Sequence, residues 1–178
     1  METNFIFVCL LPNYMNEVAS IVASKLDMFT ASVEELLQQE LGDEIALSNL
    51  LKSKDGKQKL EQCEKRVSKK VSNFENSIVC LSMDAMLDEH NIDNLLHAGC
   101  VVYLQVAPAF FERRCKFSGD FVESNISGIT FSEKDKYWVD KSEYVLNCSK
   151  LKQSKAAKKL IKICTKHLKN QKEAELKM

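Results

Sequence analysis

The side chains best suited to chemistry, those of cysteine and histidine, are scattered along the 178-residue chain. None of the seven cysteines forms a C-x-x-C pair, and Cys9, Cys80 and Cys148 lie inside apolar runs. We therefore interpret the cysteines as buried thiols in a reducing compartment, in preference to zinc ligands or disulfides. The three histidines lie far apart on segments with helical patterns, which favours solvated or capping roles over metal binding.

Three other groups of residues could contact a ligand. Tyr137 and Trp138 could stack on a ring, although such a pair more often covers the edge of a core. Arg113 and Arg114 could bind a phosphate, or form surface ion pairs equally well. The C-terminal segment is rich in lysine, which indicates a solvated helix face or, alternatively, a surface for an anionic partner or membrane.

The elements that must position these residues alternate between strand and helix. Continuous apolar runs predict buried strands at 5–11, 77–83 and 100–106, and a last short strand at 144–148. Apolar residues at helical spacing lie between them and predict helices, among them 84–97 and 151–168. Asn13 or Asn16 could cap the first helix, and Gly42 could end the second. This alternation predicts an α/β protein with a parallel sheet covered on both faces.

Length and composition narrow the class of protein. The length suits a single domain, which we place at 1–170, with a mobile, lid-like loop at 117–135 and a polar tail at 171–178. The formal net charge is zero, so the whole molecule has no general attraction for nucleic acid or an anionic membrane. No apolar run is long enough to span a bilayer, and the N-terminus lacks the features of a signal peptide. We expect a cytoplasmic protein.

Three stretches of the chain resemble the shikimate kinases. Asn4 to Met28 resembles the opening strand, P-loop and helix of that family. Glu75 to Pro108 resembles its next strand, its glycine-rich shikimate loop and the strand that reads VVYL here. Lys134 to Leu146 is more weakly similar to the segment before the last strand. The resemblance implies a P-loop kinase fold, a three-layer α/β/α arrangement with a five-stranded parallel sheet of the nucleoside-monophosphate-kinase kind.

The resemblance also places a phosphate-binding loop at 9–16, where the family pattern is G-x-x-x-x-G-K-[ST]. The glycines of that pattern let backbone N–H groups surround phosphate, the lysine reaches the transferred group and the hydroxyl binds magnesium. Cys9 and Tyr14 stand here at the glycine positions, Met15 at the lysine position and Asn16 at the hydroxyl position. The resemblance therefore implies a degenerate loop.

Two further residues weaken this loop. Pro12 has no N–H to donate, and Asn13 follows it inside the loop. Glu17 adds a negative charge near the helix N-terminus, where an anion would bind, and its side chain could take the place of phosphate. A unit charge about 4 Å from a phosphate contributes about 4 kcal/mol at an effective dielectric near 20. Losing the lysine alone could therefore cost about two to three decades of phosphate affinity.

The substrate side of the family pattern has changed as well. A substrate-binding arginine of the family falls at Glu61, and its glycine triplet falls at 83–85. The family's lid carries an arginine, whereas 117–135 contains none. The family's last substrate-binding arginine falls near Lys134. Lysine keeps the positive charge but lacks the planar guanidinium that binds a carboxylate through two hydrogen bonds. The residues that remain as a possible ligand pocket are Ser32, Glu34, Asp84 and Lys134.

These changes favour a catalytically inactive relative of the kinases with a regulatory, sensing or scaffolding role. We expect no ATP, magnesium or other metal cofactor, and the partner would be an unidentified small molecule or protein. One alternative is an active kinase of the shikimate type that uses ATP and magnesium and anchors phosphate through Arg113, Arg114 or Lys134. Another is an anion- or nucleic-acid-binding module that uses the lysine-rich terminal helix, although the net charge does not favour nucleic acid.

Overall fold

The computed structural model of the chain describes residues 3–42, 50, 52–83, 85–86, 88–107 and 131–177. Its strands are β1 (Phe5–Cys9), β2 (Phe29–Ser32), β3 (Ser77–Ser82), β4 (Cys100–Gln105) and β5 (Tyr144–Asn147). Its helices are α1 (Pro12–Leu26), α2 (Val33–Leu41), α3 (Gly56–Val71), α4 (Glu89–Leu96), α5 (Phe131–Lys141) and α6 (Gln153–Glu175). None of these helices is both long enough and apolar enough to cross a membrane.

The five strands form one parallel sheet in the order β2-β3-β1-β4-β5. The central strand, β1, pairs on both sides, so that Phe7 lies opposite Cys80 of β3 and Val102 of β4. Every side chain of β1 is fully buried, as expected for a strand with helices over both faces. Helix α1 packs on α6, and α3 packs on both α2 and α4. The predicted three-layer α/β/α fold is confirmed.

The amino edge of the sheet is closed by the buried side chain of Asn4. Its Nδ2 donates to the carbonyls of Phe74 at 2.6 Å and Ala98 at 3.1 Å, and its Oδ1 accepts from the N–H of Ser77 at 3.1 Å. Gly99 packs so closely here that a Cβ atom would lie 2.5 Å from the carbonyl oxygen of Asn4. These contacts join the starts of three strands, so the amino edge has a structural role.

Helix ends explain where two predictions fail. Helix α1 begins at Pro12 with Leu11 as N-cap and no side-chain cap, so the predicted caps Asn13 and Asn16 are wrong, and both lie inside the helix. Helix α4 begins at Glu89 and not at residue 84, because the side chain of Asp88 caps it by accepting from the N–H of Asn91 at 2.8 Å.

The predicted end of α2 at Gly42 is confirmed, and Gly42 has a φ of 90°. Three other elements differ from what the sequence pattern predicts. Strand β2 was implied only by the family resemblance, because Phe29 and Thr30 are exposed at the sheet edge and leave no apolar run. Residues 131–135 of the predicted loop are helical, and 117–130 lie outside the described residues. Helix α6 continues to Glu175, so most of the predicted tail is helical.

Candidate functional site

The connection from β1 to α1 lies at the carboxyl edge of the sheet, where ligands bind in folds of this type. Strand β1 ends at Cys9 and α1 begins at Pro12, so only Leu10 and Leu11 join them, and both are buried. The N–H of Leu11 donates to Cys9 Sγ at 3.4 Å, and the N–H of Met15 donates to the carbonyl of Leu11 at 3.0 Å. The chain thus passes from strand to helix through a short buried link.

Two residues of the predicted phosphate loop belong to the core. Tyr14 is 2% exposed, and its hydroxyl donates to the carbonyl of Leu151 at 2.9 Å, which fastens α1 to the segment before α6. Met15 is 0% exposed. Met15, which the resemblance places at the position of the family's lysine, is therefore enclosed by protein.

The remaining residues of the predicted loop lie along α1. Asn13 and Glu17 are exposed, and Pro12 and Asn16 are half-buried. Glu17 lies in the second turn of the helix, beyond the first turn whose N–H groups face the N-terminus. Glu17 therefore does not belong to the first turn, whose N–H groups could bind an anion. Asn16 lines a small cleft of about 140 Å³ with Thr30 and Cys80.

Glu34 connects the start of α2 to the end of β3. Its Oε1 accepts from the backbone N–H of Ser82 at 3.2 Å, and its Oε2 accepts from the hydroxyl of Ser32 at 3.3 Å. The same hydroxyl accepts from the N–H of Glu35 at 3.3 Å and caps α2. Ser32 and Glu34 therefore lie together, and both of their side chains have partners within the protein, whereas the pocket predicted from Ser32, Glu34, Asp84 and Lys134 stays a prediction.

A second polar cluster links the end of β4 to α5. Asp135 Oδ1 accepts from the Tyr103 hydroxyl at 2.8 Å, and both of its carboxylate oxygens accept from Gln105 Nε2, at 3.1 and 3.0 Å. Burial and then the hydrogen bond to Asp135 raise the pKa of Tyr103. Lys134 is half-buried beside Asp135 in α5. The tyrosine thus remains a neutral donor that holds α5 against the sheet.

Sequence reasoning missed this cluster, although β4 carried a signal for it. Tyr103 and Gln105 are two residues apart, which places them on the same face of the strand. Both carry hydrogen-bonding groups within an otherwise apolar run. Two such side chains on a covered face require a polar partner, and Asp135 supplies it from the end of the predicted loop at 117–135.

An acidic cleft of about 310 Å³ lies between α3 and the start of α4. Glu61, which the resemblance places at the position of a substrate-binding arginine, lines it. Glu64 is fully buried, and its Oε2 accepts from the N–H of Asp88 at 3.0 Å. The charged residues and histidine that line the cleft are Lys57, Glu61, Glu64, Asp88, Glu89 and His90. The excess of carboxylates disfavours an anionic ligand here.

The substrate loop is filled where the structure describes it. Met83 and Ala85 are buried, and the N–H of Met83 donates to the carbonyl of Cys9 at 3.2 Å. Asp84, Arg113 and Arg114 lie outside the described residues. At the two described positions of the family's glycine triplet, side chains therefore pack where a close backbone approach to substrate would otherwise be available.

The cysteines and the aromatic pair have structural positions. The six cysteines in the described ranges are buried thiols, and burial raises the pKa of Cys80 and of Cys164 to about 12 and that of Cys148 to about 11. Trp138 is buried, with Tyr137 edge-on to it at 5.1 Å. No group of three or more His, Cys, Asp or Glu side chains in those same ranges could hold a metal ion.

The sequence model of the shikimate kinase family matches residues 16–168, which is most of the chain. The chain belongs to the shikimate kinase family. A curated shikimate kinase of Caldicellulosiruptor saccharolyticus is 25% identical over 99 residues, and the alignment spans 56% of each protein. The chain therefore matches about half the length of this relative. The family match begins at Asn16, so it covers the predicted resemblance of 4–28 only from that residue onward.

Solved structures of the family have the same fold. The shikimate kinase of Bacteroides thetaiotaomicron superposes with a TM-score of 0.72 at 14% identity, covering 93% of this chain and 99% of that one. The Acinetobacter baumannii enzyme, solved in complex with shikimate, gives 0.69 at 13% identity and covers 94% and 95%. The Aquifex aeolicus enzyme gives 0.66 at 18% identity and covers 95% and 98%. The five-stranded kinase fold is therefore retained at low sequence identity.

Proposed function

We propose that this family member is catalytically inactive and acts as a regulatory, sensing or scaffolding protein. The observation that carries the proposal is the two-residue connection between Cys9 and Pro12. A P-loop must leave several successive N–H groups open around the phosphates. Here Pro12 has no N–H, and those of Leu11 and Met15 are used within the protein. At least three positions of the segment therefore offer no open N–H group to a phosphate.

The two side chains that would supply a lysine and a magnesium-binding hydroxyl are also of the wrong type. Met15 is enclosed in the core at the position of the family's lysine, and the half-buried Asn16 replaces the hydroxyl that would bind magnesium. Losing a lysine at about 4 Å from phosphate removes about 4 kcal/mol at an effective dielectric near 20. An inactive protein accounts for both losses together, so ATP and magnesium have no part in the proposed function.

The substrate side supports the same proposal. Glu61 reverses a charge that would bind the substrate carboxylate, and Met83 and Ala85 fill the loop that would approach it. Ser32 and Glu34 bond to each other and to the end of β3. These residues hold the carboxyl edge together and are consistent with a fold kept for binding or assembly.

Titration calorimetry with Mg-ATP, followed by a coupled assay of ADP release with shikimate, tests this proposal. We expect no saturable heat up to about 1 mM nucleotide, which corresponds to less than about 4 kcal/mol of binding free energy. The Aquifex aeolicus enzyme, run in parallel, is the positive control. Magnesium-dependent binding in the micromolar range, or shikimate-dependent ADP release, would refute the proposal and favour an active kinase with different phosphate anchors.

A further inference from the structure

A row of lysines runs along the outer face of α6. We define the lysine ridge as Lys155, Lys158, Lys162, Lys166 and Lys169, all of which are exposed. They follow one another at intervals of three or four residues, which keeps them on one face of a helix. At a rise of about 1.5 Å per residue the ridge is about 21 Å long. Residues 153–172 contain no acidic side chain, and Glu173 is the first to follow.

The opposite face of α6 is fixed in the core. Ala156, Ala157, Leu160 and Cys164 are all 0% exposed, and α6 packs against α1. The helix therefore cannot rotate to distribute its charges differently. The ridge is held outward by the fold and does not depend on a mobile tail.

This arrangement is unfavourable for the helix by itself. Lysines three or four residues apart repel one another, whereas a carboxylate at the same spacing would attract. In helix α3, by contrast, lysines have a carboxylate at this spacing, since Lys57 and Lys65 each lie four residues from Glu61. The whole chain carries equal numbers of acidic and basic residues, so the ridge is a local separation of charge that an anionic partner would stabilise.

One exposed apolar side chain accompanies the ridge. Leu176 is 86% exposed and lies seven residues after Lys169, at near-helical dihedral angles, which puts it on the same face as the ridge. Lysine charges with an apolar side chain next to them fit an anionic lipid surface, where head groups lie above hydrocarbon. The ridge itself carries no arginine or aromatic side chain that could stack on nucleic acid bases.

We propose that the lysine ridge and Leu176 form a docking surface for an anionic phospholipid bilayer. The lysines would lie at the level of the lipid phosphates, and Leu176 would enter the layer below them. This proposal does not rest on the proposed loss of kinase activity.

Vesicle sedimentation tests the surface, with phosphatidylcholine vesicles compared with vesicles containing a third phosphatidylserine. We expect binding only to the anionic vesicles and its loss as the ionic strength rises from about 0.1 M to 1 M. The variant Lys158→Gln, Lys162→Gln, Lys166→Gln should bind about 100-fold more weakly, at about fivefold for each lysine. Its melting temperature should stay equal or rise, because repulsion within the helix is relieved.

A matched control removes three exposed lysines from α3, as Lys65→Gln, Lys69→Gln, Lys70→Gln, and should bind like the wild type. Leu176→Ser should weaken binding about tenfold without changing stability, since the side chain is exposed. Equal loss of binding in the α3 variant would overturn the proposal, because net charge would then suffice. Absence of binding at about 0.1 M salt, or tighter ridge-dependent binding to a short RNA duplex, would also overturn it.

Discussion

Replacing Met15 by lysine would return the family's phosphate-binding side chain to its position in the sequence. In this fold the position is 0% exposed, and the backbone N–H of Met15 already bonds to Leu11 within the helix. The substituted ammonium group would therefore enter the core and not a phosphate site. We expect Met15→Lys to destabilise the protein and to bring no binding of Mg-ATP.

The size of the effect follows from burial. Full burial lowers a lysine pKa by about 3–5 units, and each unit corresponds to about 1.4 kcal/mol. The charge alone then costs about 4–7 kcal/mol, which is comparable with the total stability of a domain at about 5–15 kcal/mol. Because the lowered pKa makes the unfolded state bind more protons, stability rises with pH. The cost should be largest at low pH and should shrink as the pH approaches about 10.4.

Urea unfolding of Met15→Lys at a series of pH values measures this cost. Met15→Leu is the matched control, since a volume-conserving change should cost less than about 1.5 kcal/mol at every pH. Calorimetry with Mg-ATP on the folded variant measures the second part of the prediction. Saturable Mg-ATP binding by Met15→Lys, with a melting temperature close to that of the wild type, would refute the reasoning. It would mean that the Cys9–Pro12 link opens into a loop.

Three further results are expected from other contacts. Tyr14→Phe removes the donor to the Leu151 carbonyl and should cost about 1–3 kcal/mol in urea unfolding; a change below the error of the measurement would contradict the burial of that bond. Asp135→Ala removes the carboxylate that accepts from the Tyr103 hydroxyl. It should lower the free energy of unfolding by a similar amount and speed hydrogen exchange in α5, whereas replacing the exposed Asp140 by alanine should have neither effect. Burial raises the pKa of buried thiols such as Cys164 to about 12, so stability should be constant below about pH 8.5 and fall above it, by at most about 1.4 kcal/mol per pH unit for each thiol. A melting temperature that stays constant from about pH 8 to 11 would contradict this expected fall in stability.

Strands with both faces covered were predictable because they carry continuous apolar runs. β1, β3 and β4 form the middle of the sheet and appear in the sequence with nearly their observed limits. β2 was missed by this criterion, because it lies at an edge with Phe29 exposed. Helix limits were less predictable. Asp88 caps α4 through one side-chain hydrogen bond, and the apolar spacing on either side gives no sign of it.

The candidate site divides in the same way. The sequence shows which residue types occupy the phosphate-loop positions, and therefore that glycine, lysine and hydroxyl groups are absent from them. It does not show that α1 begins at Pro12, because helix start depends on how the first turn packs. Glu17 appeared close to the phosphate position in sequence, yet it lies one turn further along the helix and is exposed.

The sequence by itself determined the class of fold, the family and the residue types that stand at 9–16, because apolar periodicity and motif spacing are local properties of the chain. Only the tertiary structure decided how the segment between β1 and α1 packs. Tyr14 reaches the carbonyl of Leu151, 137 residues away in the chain, and Asp135 reaches Tyr103 and Gln105 across α5 and β4. These contacts depend on packing between distant segments, which no local pattern specifies.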